Sequence, residues 1–259
     1  MRPALKSAIG AIAGKAGLAR ALGDDMRADV DLLNATNFYT DRLFGLWVSV
    51  DLLQPDRTAP YLVQGGLGMP DRDFYLGDGR MAELRKQYQA YIAKVLQLAG
   101  VADPAGKAQR ILALETRIAQ AHATQEETND VTKGANPWTQ ADFSAKAPGM
   151  DWAAFLEAAK LGQQQDFIVW QPKAVAGLSK LVATEPLDAW KDYMTFHALD
   201  RAASYLPKTF ADARFAFHGT ALSGTPQQSD RWKRAVDDAN TAVGEALGQR
   251  YVEKHLDAK

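Results

Sequence analysis

The sequence predicts a mainly α, multi-helical domain with one small β-hairpin. Three observations carry this expectation. Apolar residues recur every three to four positions along most of the chain, the period of an amphipathic helix. Asp, Thr and Pro stand where these segments start, and Gly stands where one of them stops. Alternation with a period of two occurs at residues 44–50, and turn residues and a second extended run follow it. Of 259 residues 47% are hydrophobic and 24% charged, which suits a folded globular chain and not a disordered one.

Taken in order, Leu5, Ile9, Ile12 and Ala16 fall on one face of an N-terminal amphipathic helix that Pro3 can start, and Gly23-Asp24-Asp25 follows it. Phe44, Leu46, Val48 and Val50 alternate with Gly45, Trp47 and Ser49 to make a strand. Gln54-Pro55-Asp56-Arg57 is turn chemistry, and Pro60-Tyr61-Leu62-Val63 is the return strand of the hairpin. Gly65-Gly66-Leu67-Gly68 and Pro70 then force an irregular loop up to Leu76. Asp78 can cap a helix carrying Met81, Leu84, Tyr88, Tyr91, Ile92, Val95 and Leu98, which ends at Gly100. Asp103-Pro104 opens another, with Ile111, Leu112, Glu115, Ile118 and His122 along one side.

Thr139 with Asp142 resembles a capping box in which Asp replaces the usual Glu or Gln. Asp151 caps a short helix through Phe155 and Leu156, and Phe167 to Trp170 is a short extended apolar run. Pro172 and Pro186 sit in first helical turns, and a further helix follows Pro207. The last helix starts near Ser229 and carries Trp232, Val236, Val243, Leu247, Tyr251 and Leu256 as an apolar stripe, roughly 45 Å long at ~1.5 Å per residue. Neither Gly nor Pro follows Leu256, so the end at Lys259 reads as a cut.

Charge and composition narrow the function classes. Thirty basic against thirty-one acidic side chains give a net charge of -1, so no overall field draws the chain to nucleic acid or anionic lipid. The absence of cysteine removes disulfides, thiolate metal sites and a cysteine nucleophile, and leaves the redox compartment open. No apolar run approaches the roughly 20 residues that span a bilayer, so no membrane insertion is expected in this part. Behind Met1-Arg2 and Lys6, the apolar stretch Ala8 to Ala13 is interrupted by Gly10 and closed by Gly14-Lys15, too short a core for a signal peptide.

The motifs that carry chemistry are missing. None of the four histidines belongs to H-E-x-x-H, the spacing that puts two imidazoles on one helical face. His122 and Glu126 are four apart and read as a solvated helix contact; His197, three residues before Asp200, reads as a half-buried helix residue. His218 and His255 have no distinctive neighbours. There is no G-x-S-x-G, and Leu222-Ser223-Gly224-Thr225 is a helix terminus and turn. The acidic pairs Asp24-Asp25, Glu126-Glu127 and Asp237-Asp238 diverge on helices. The glycines after Val63 lack the G-K-S/T ending of a phosphate loop, and the basic run Arg231 to Arg234, broken by Trp232 and followed by Asp237-Asp238, is a charged helix face. No catalytic residue and no metal ligand emerges from the residues themselves.

Several irregular stretches carry a resemblance instead. Gln64-Gly65-Gly66-Leu67-Gly68-Met69-Pro70-Asp71-Arg72-Asp73-Phe74-Tyr75-Leu76 is similar to the Gly-Leu-Gly-Leu-Pro-x-Arg-x-Tyr-Tyr motif of neprilysin-like zinc metallopeptidases. Asn136-Pro137-Trp138-Thr139, Leu222-Ser223-Gly224-Thr225-Pro226, Arg231-Trp232-Lys233-Arg234 and Tyr251-Val252-Glu253-Lys254 follow in the order of the bacterial members, which resemble oligoendopeptidase O. The resemblance covers nearly the whole chain.

It implies that residues 1–259 are a single, incomplete helical N-terminal domain whose family partner is a missing thermolysin-like catalytic domain. The two would face each other across a closed cavity that only short peptides enter. Zinc would belong to the full-length protein and not to this part, because the family's H-E-x-x-H, its third ligand and its Asn-Ala-x-Tyr motif lie further along. The matched positions Gln64, Gly65, Gly66, Gly68, Pro70, Arg72, Asp73, Tyr75, Asn136, Pro137, Trp138, Arg231 and Trp232 are then expected to be architectural, with Trp232 used for packing. The alternative for Arg72 and Asp73 is that they reach the cavity. The family's usual secretion implies a periplasmic or extracellular address. A rival of another class is a free-standing helical module that binds peptides or a protein without peptidase activity.

Overall fold

The computed structural model describes residues 3–30 and 38–256, and of residues 3–6 the backbone alone. The chain divides into two compact units, Met1–Arg214 and Phe215–Lys259. In the larger, the first turns form two helices, α1 (Pro3–Gly10) and α2 (Gly14–Met26), where the sequence suggested one. Ile9 and Ile12 are buried as expected, Ala16 is exposed, and Leu5 lies outside the described side chains. Gly23-Asp24-Asp25 does not follow the helix but lies inside α2.

The hairpin forms as read. Strands β1 (Phe44–Val50) and β2 (Thr58–Gln64) pair antiparallel, with Phe44 opposite Gln64 and Val50 opposite Thr58. Asp51 organises the turn, its carboxylate accepting from the Leu53 N–H at 2.8 Å and from Arg57 Nε at 2.9 Å. After the glycine-rich loop come α3 (Asp73–Leu76), α4 (Arg80–Leu98) and α5 (Pro104–Ala121). Asp78 is not the cap of α4: Gly79, at φ +60°, takes that position, and Asp78 offers only its carbonyl, to the Met81 N–H at 3.2 Å. Asp103 does cap α5, accepting from Gly106 N at 3.2 Å.

Two short helices, α6 (Gln125–Asn129) and α7 (Val131–Gly134), lead to β3 (Pro137–Thr139), α8 (Gln140–Lys146), α9 (Trp152–Ala158) and β4 (Asp166–Val169). Helices α10 (Pro172–Thr184), α11 (Leu187–Ala202) and α12 (Lys208–Arg214) complete the unit. The fold is mainly α. Its sheet, however, has four strands in the order β1-β2-β4-β3, with β4 parallel to β2 and antiparallel to β3. The extended run ending at Trp170 thus extends the hairpin, and β3 is too short for alternation to reveal it.

Packing around the sheet fixes what lies beside it. On one face Tyr61, Ile168 and Trp170 pack with Trp47 and Phe38. Phe44, Phe143, Trp152, Phe155 and Phe167 form a second aromatic cluster, and each such buried ring is worth ~1.5–3 kcal/mol by burial alone. Gly23 is where α2 crosses α9: a Cβ there would sit 2.2 Å from the Phe155 carbonyl oxygen. Helices α4, α5 and α11 pack together through Tyr88, Ile92, Ile111, Ile118, Trp190 and Phe196, all fully buried.

The smaller unit holds a π-helical stretch, Phe215–Leu222, closed by Gly224 at φ +70°, and α13 (Arg231–His255). Helix α13 breaks its geometry at Val243 (φ -138°, ψ 24°) and has no buried residue. Its apolar stripe is therefore exposed, from Trp232 at 65% to Leu256 at 61%.

Candidate functional site

The glycine-rich loop after β2 sits on a buried polar hub. Glu115 projects from the apolar face of α5 and is fully buried. Its carboxylate accepts from Tyr75 O–H at 2.5 Å, Tyr88 O–H at 3.1 Å and the Gly68 N–H at 3.3 Å, and contacts His197 Nε2 at 2.9 Å. Tyr75 in turn accepts from the N–H groups of Gly68 (3.1 Å) and Met69 (3.0 Å). Gly68 has no room for a side chain, since a Cβ would lie 1.9 Å from the Tyr88 oxygen, and Gly66 needs its φ of +94°.

His197, on α11, is 1% exposed and not half-buried as its sequence context suggested. Its other ring nitrogen, Nδ1, lies 3.6 Å from Asp41 Oδ2, an ion-pair distance too long for a hydrogen bond. Asp41 is also held by Arg201 at 2.8 Å, and Arg201 reaches Asp25 of α2 at 2.6 Å. Burial opposes the charge on His197, but the nearby carboxylates of Asp41 and Glu115, the latter in hydrogen-bond contact, outweigh it and raise the pKa to about 9. Burial would raise Asp41, yet the neighbouring His197 and Arg201 hold it well below the usual carboxylate range. Burial and the Glu115 charge push the phenols of Tyr75, Tyr88 and Tyr193 well above their ordinary value, so they act as donors. A cleft of about 660 Å³ between α1, α2 and α11 has Ile9, Ile12 and Met194 on its walls, with His197, Arg201 and Asp25 among its polar groups.

The other motif positions fall around this hub. Gln64, buried at the end of β2, bonds both ways to the main chain of Ala123, and its own N–H donates to Gln171 Oε1 at 3.0 Å. His122 closes α5 and contacts the Gly65 carbonyl through Nε2 at 2.8 Å; desolvation lowers its pKa to about 4. The expected His122–Glu126 contact does not form, because the helix ends between them and Glu126 belongs to α6. Arg72 is three-quarters buried beside Asp73 at 3.7 Å, with its Nε unpaired, and Pro70 and Asp73 are exposed.

Further along, Asn136 Nδ2 donates to the carbonyls of Lys133 (2.6 Å) and Val169 (3.0 Å), tying β3 to β4. Pro137 starts β3, Trp138 is buried against Phe143, and Asp142 accepts from the Thr139 N–H at 2.7 Å. In the smaller unit Arg231 and Trp232 are exposed, with Lys233 Nζ 5.5 Å from the Trp232 ring. Sequence reasoning missed Glu115, His197, Asp41 and Arg201 as a group. The available signal was an acidic residue on the apolar face of α5.

A profile of peptidase family M13, N-terminal part, matches residues 2–259. The chain belongs to peptidase family M13. It is 26% identical over 227 residues to human endothelin-converting enzyme 1, which spans 83% of this chain and 29% of the relative. Among solved structures, the Mycobacterium tuberculosis zinc metalloprotease Zmp1 in its open state superposes with a TM-score of 0.86 at 29% identity, over 98% of this chain and 38% of that one. PepO of Lactobacillus rhamnosis HN001 shares the fold, with a TM-score of 0.69 at 18% identity over 94% of this chain and 43% of that one. The chain thus spans about 30% of the curated relatives it matches. It is an N-terminal domain of the neprilysin-like M13 peptidases.

M13 peptidases are zinc enzymes, so the donor set matters. Among the described residues no group of three or more His, Cys, Asp or Glu side chains is gathered to hold a metal ion. Glu115, His197 and Asp41 are the nearest to such a set, but Tyr75, Tyr88, Gly68 and Arg201 already occupy the carboxylate oxygens. They do not fit zinc. Among the described residues, no helix is long and apolar enough to cross a membrane.

Proposed function

We propose that this chain walls the substrate cavity of an M13 zinc metalloendopeptidase, admitting oligopeptides and excluding folded proteins, and that it is inactive by itself. The observation that carries this reading is the match to Zmp1, a zinc metalloprotease, over 98% of this chain but 38% of that one. Zinc, its ligands and the general base would then come with the remaining part of the protein. The exposed stripe of α13 supports the reading, because an apolar row of this length is normally covered. The glycine-rich loop, held by Glu115 and its tyrosines, gives the wall a rigid polar anchor. On this reading Arg72 and Asp73, which border a small hollow beside Gln64 and His122, shape the loop rather than react with substrate. An address outside the cytosol follows from the same family reading.

The test is reconstitution. The catalytic part, produced separately, is mixed with this chain and assayed on short fluorogenic peptides with and without a chelator. Hydrolysis that requires both pieces and is lost with the chelator supports the proposal. Full activity of the catalytic part alone, or hydrolysis by this chain alone, contradicts it.

A further inference from the structure

The arrangement around His197 has a consequence that reaches beyond the peptidase reading. A neutral imidazole carries one N–H, yet both ring nitrogens of His197 face carboxylate oxygens, Glu115 on one side at 2.9 Å and Asp41 on the other at 3.6 Å. Only the doubly protonated ring presents an N–H to each carboxylate. We propose that His197 is a proton-operated latch: its imidazolium ties the segment 38–43 to the hub beneath the glycine-rich loop, and loss of one ring proton frees that segment and opens the neighbouring cleft.

The two sides of the latch are unequal. On the Glu115 side the carboxylate is also held by Tyr75 of α3, Tyr88 of α4 and the Gly68 N–H, so a single remaining ring proton stays there. On the other side the remaining lone pair of Nδ1 would point at Asp41, an unfavourable contact in a buried site. Asp41 belongs to an irregular segment that is also tied by Arg42 Nε, which donates to the Asp25 carbonyl at 2.7 Å, and by Phe38, which packs on Trp47 and Trp170. Thr40 O accepts from the Gly66 N–H at 3.1 Å, Asp41 O accepts from Tyr193 at 3.1 Å, and Arg201 holds the Asp41 carboxylate.

The other charges nearby have partners of their own. Arg201, on the same helix as His197, is balanced by Asp25 of α2; Asp200 is taken up by Tyr91 of α4 and by Arg214 of α12 at 3.5 Å. Tyr39, on the released segment, has its phenol raised by burial and by Asp41, so it stays neutral through this range. Leu43, Asp25, Arg201 and His197 all line the 660 Å³ cleft, so movement of the segment changes its mouth.

The sign follows from the charges. Asp41 is held well below the usual carboxylate range, so mild acid leaves the latch closed, whereas His197 gives up its proton near pH 9 and the release lies on the alkaline side. The latch is independent of the peptidase reading, which stands whether or not His197 releases the segment.

Hydrogen exchange of the whole chain tests it. Protection factors, corrected for intrinsic base catalysis, are followed from pH 7 to pH 10. The amides of residues 39–43 with Gly66 should lose protection on the order of tenfold per pH unit from about pH 6.5, the free imidazole value, up to the ring pKa of about 9, and level off above it, while the amides of α5 keep theirs. Asp41→Asn should make the loss smaller and end it at lower pH, and Asp25→Asn, one step removed through Arg201, should change it less. Should Asp41→Asn fail to fold, the ring carbon resonance of His197 in the unaltered chain decides, with titration near pH 9 expected. Protection that stays flat to pH 10, loss that is equal in α5, or titration near pH 6.5 overturns the proposal.

Discussion

Replacing Glu115 by Gln is the sharpest perturbation of the hub, because it keeps the shape and removes the charge. The wild-type carboxylate takes hydrogen bonds from Tyr75, Tyr88 and Gly68 and faces the His197 ring, all in a site with no solvent exposure. An amide offers one acceptor oxygen and one donor NH2, so at least one of these donors is left facing another donor. Tyrosine hydroxyls can rotate away, but the Gly68 N–H cannot. Removing one partner of a buried ion pair costs about 3–5 kcal/mol, because the other is left uncompensated. Part of that is recovered if His197 sheds its proton. The expected loss is therefore about 3 kcal/mol at neutral pH, read as a lower urea midpoint with an unchanged slope. A double-mutant cycle with His197→Gln should give a coupling of about 1–3 kcal/mol, since the two side chains share the same contact. A loss below about 0.5 kcal/mol, the range of ordinary surface substitutions, would refute the claim that this carboxylate organises the loop.

Other outcomes follow from the same structure. Because the folded pKa of His197, about 9, lies above its unfolded value near 6.5, its stabilisation is complete below pH 6.5 and is lost as pH rises through 9. Urea titrations should show a decline of ~3 kcal/mol over that window, and His197→Gln should flatten it. Gly68→Ala drives a Cβ to 1.9 Å from the Tyr88 oxygen, so Tyr88 or the loop must move; thermal melts should record a loss of about 1–3 kcal/mol. Gly23→Ala puts its Cβ 2.2 Å from a backbone oxygen of α9 that cannot step aside, and its melting temperature should fall further. Trp232→Glu, on an exposed face, should leave the unfolding free energy from urea titration within ~0.5 kcal/mol of wild type but weaken association with the separately produced catalytic part.

Much of this fold was legible because local chemistry decides local structure. Asp103, Thr139 with Asp142, Asp151 and Pro172 each start the helix that their side chains predict. The hairpin was readable because seven consecutive residues alternate and turn residues follow. Where the reading departed, tertiary contact had overridden propensity. Gly23 looks like a stop signal, but it is needed in mid-helix for the crossing with α9. Strand β3 has three residues and is defined by its partner β4, which no local pattern reports. The hub was hidden for a related reason. Glu115 and His197 are 82 residues apart, and Asp41 lies in a stretch without periodicity, so only the fold brings them together. The motif positions were found through resemblance, and the structure supplies the physical reason for several: Gly68 by steric exclusion, Gln64 by its paired bonds to Ala123, Asn136 by bridging two strands.

On the proposed function this chain limits which substrates reach a catalytic centre carried elsewhere in the protein, and two cleavage rates test it together. Short peptides and a large folded protein bearing the same cleavable sequence in an exposed loop are offered to the catalytic part with and without this chain. If the chain is the wall, adding it should raise short-peptide hydrolysis while the folded protein stays uncut. Equal cleavage of both substrates in its presence, or short-peptide hydrolysis that does not rise when the chain is added, would contradict this reading.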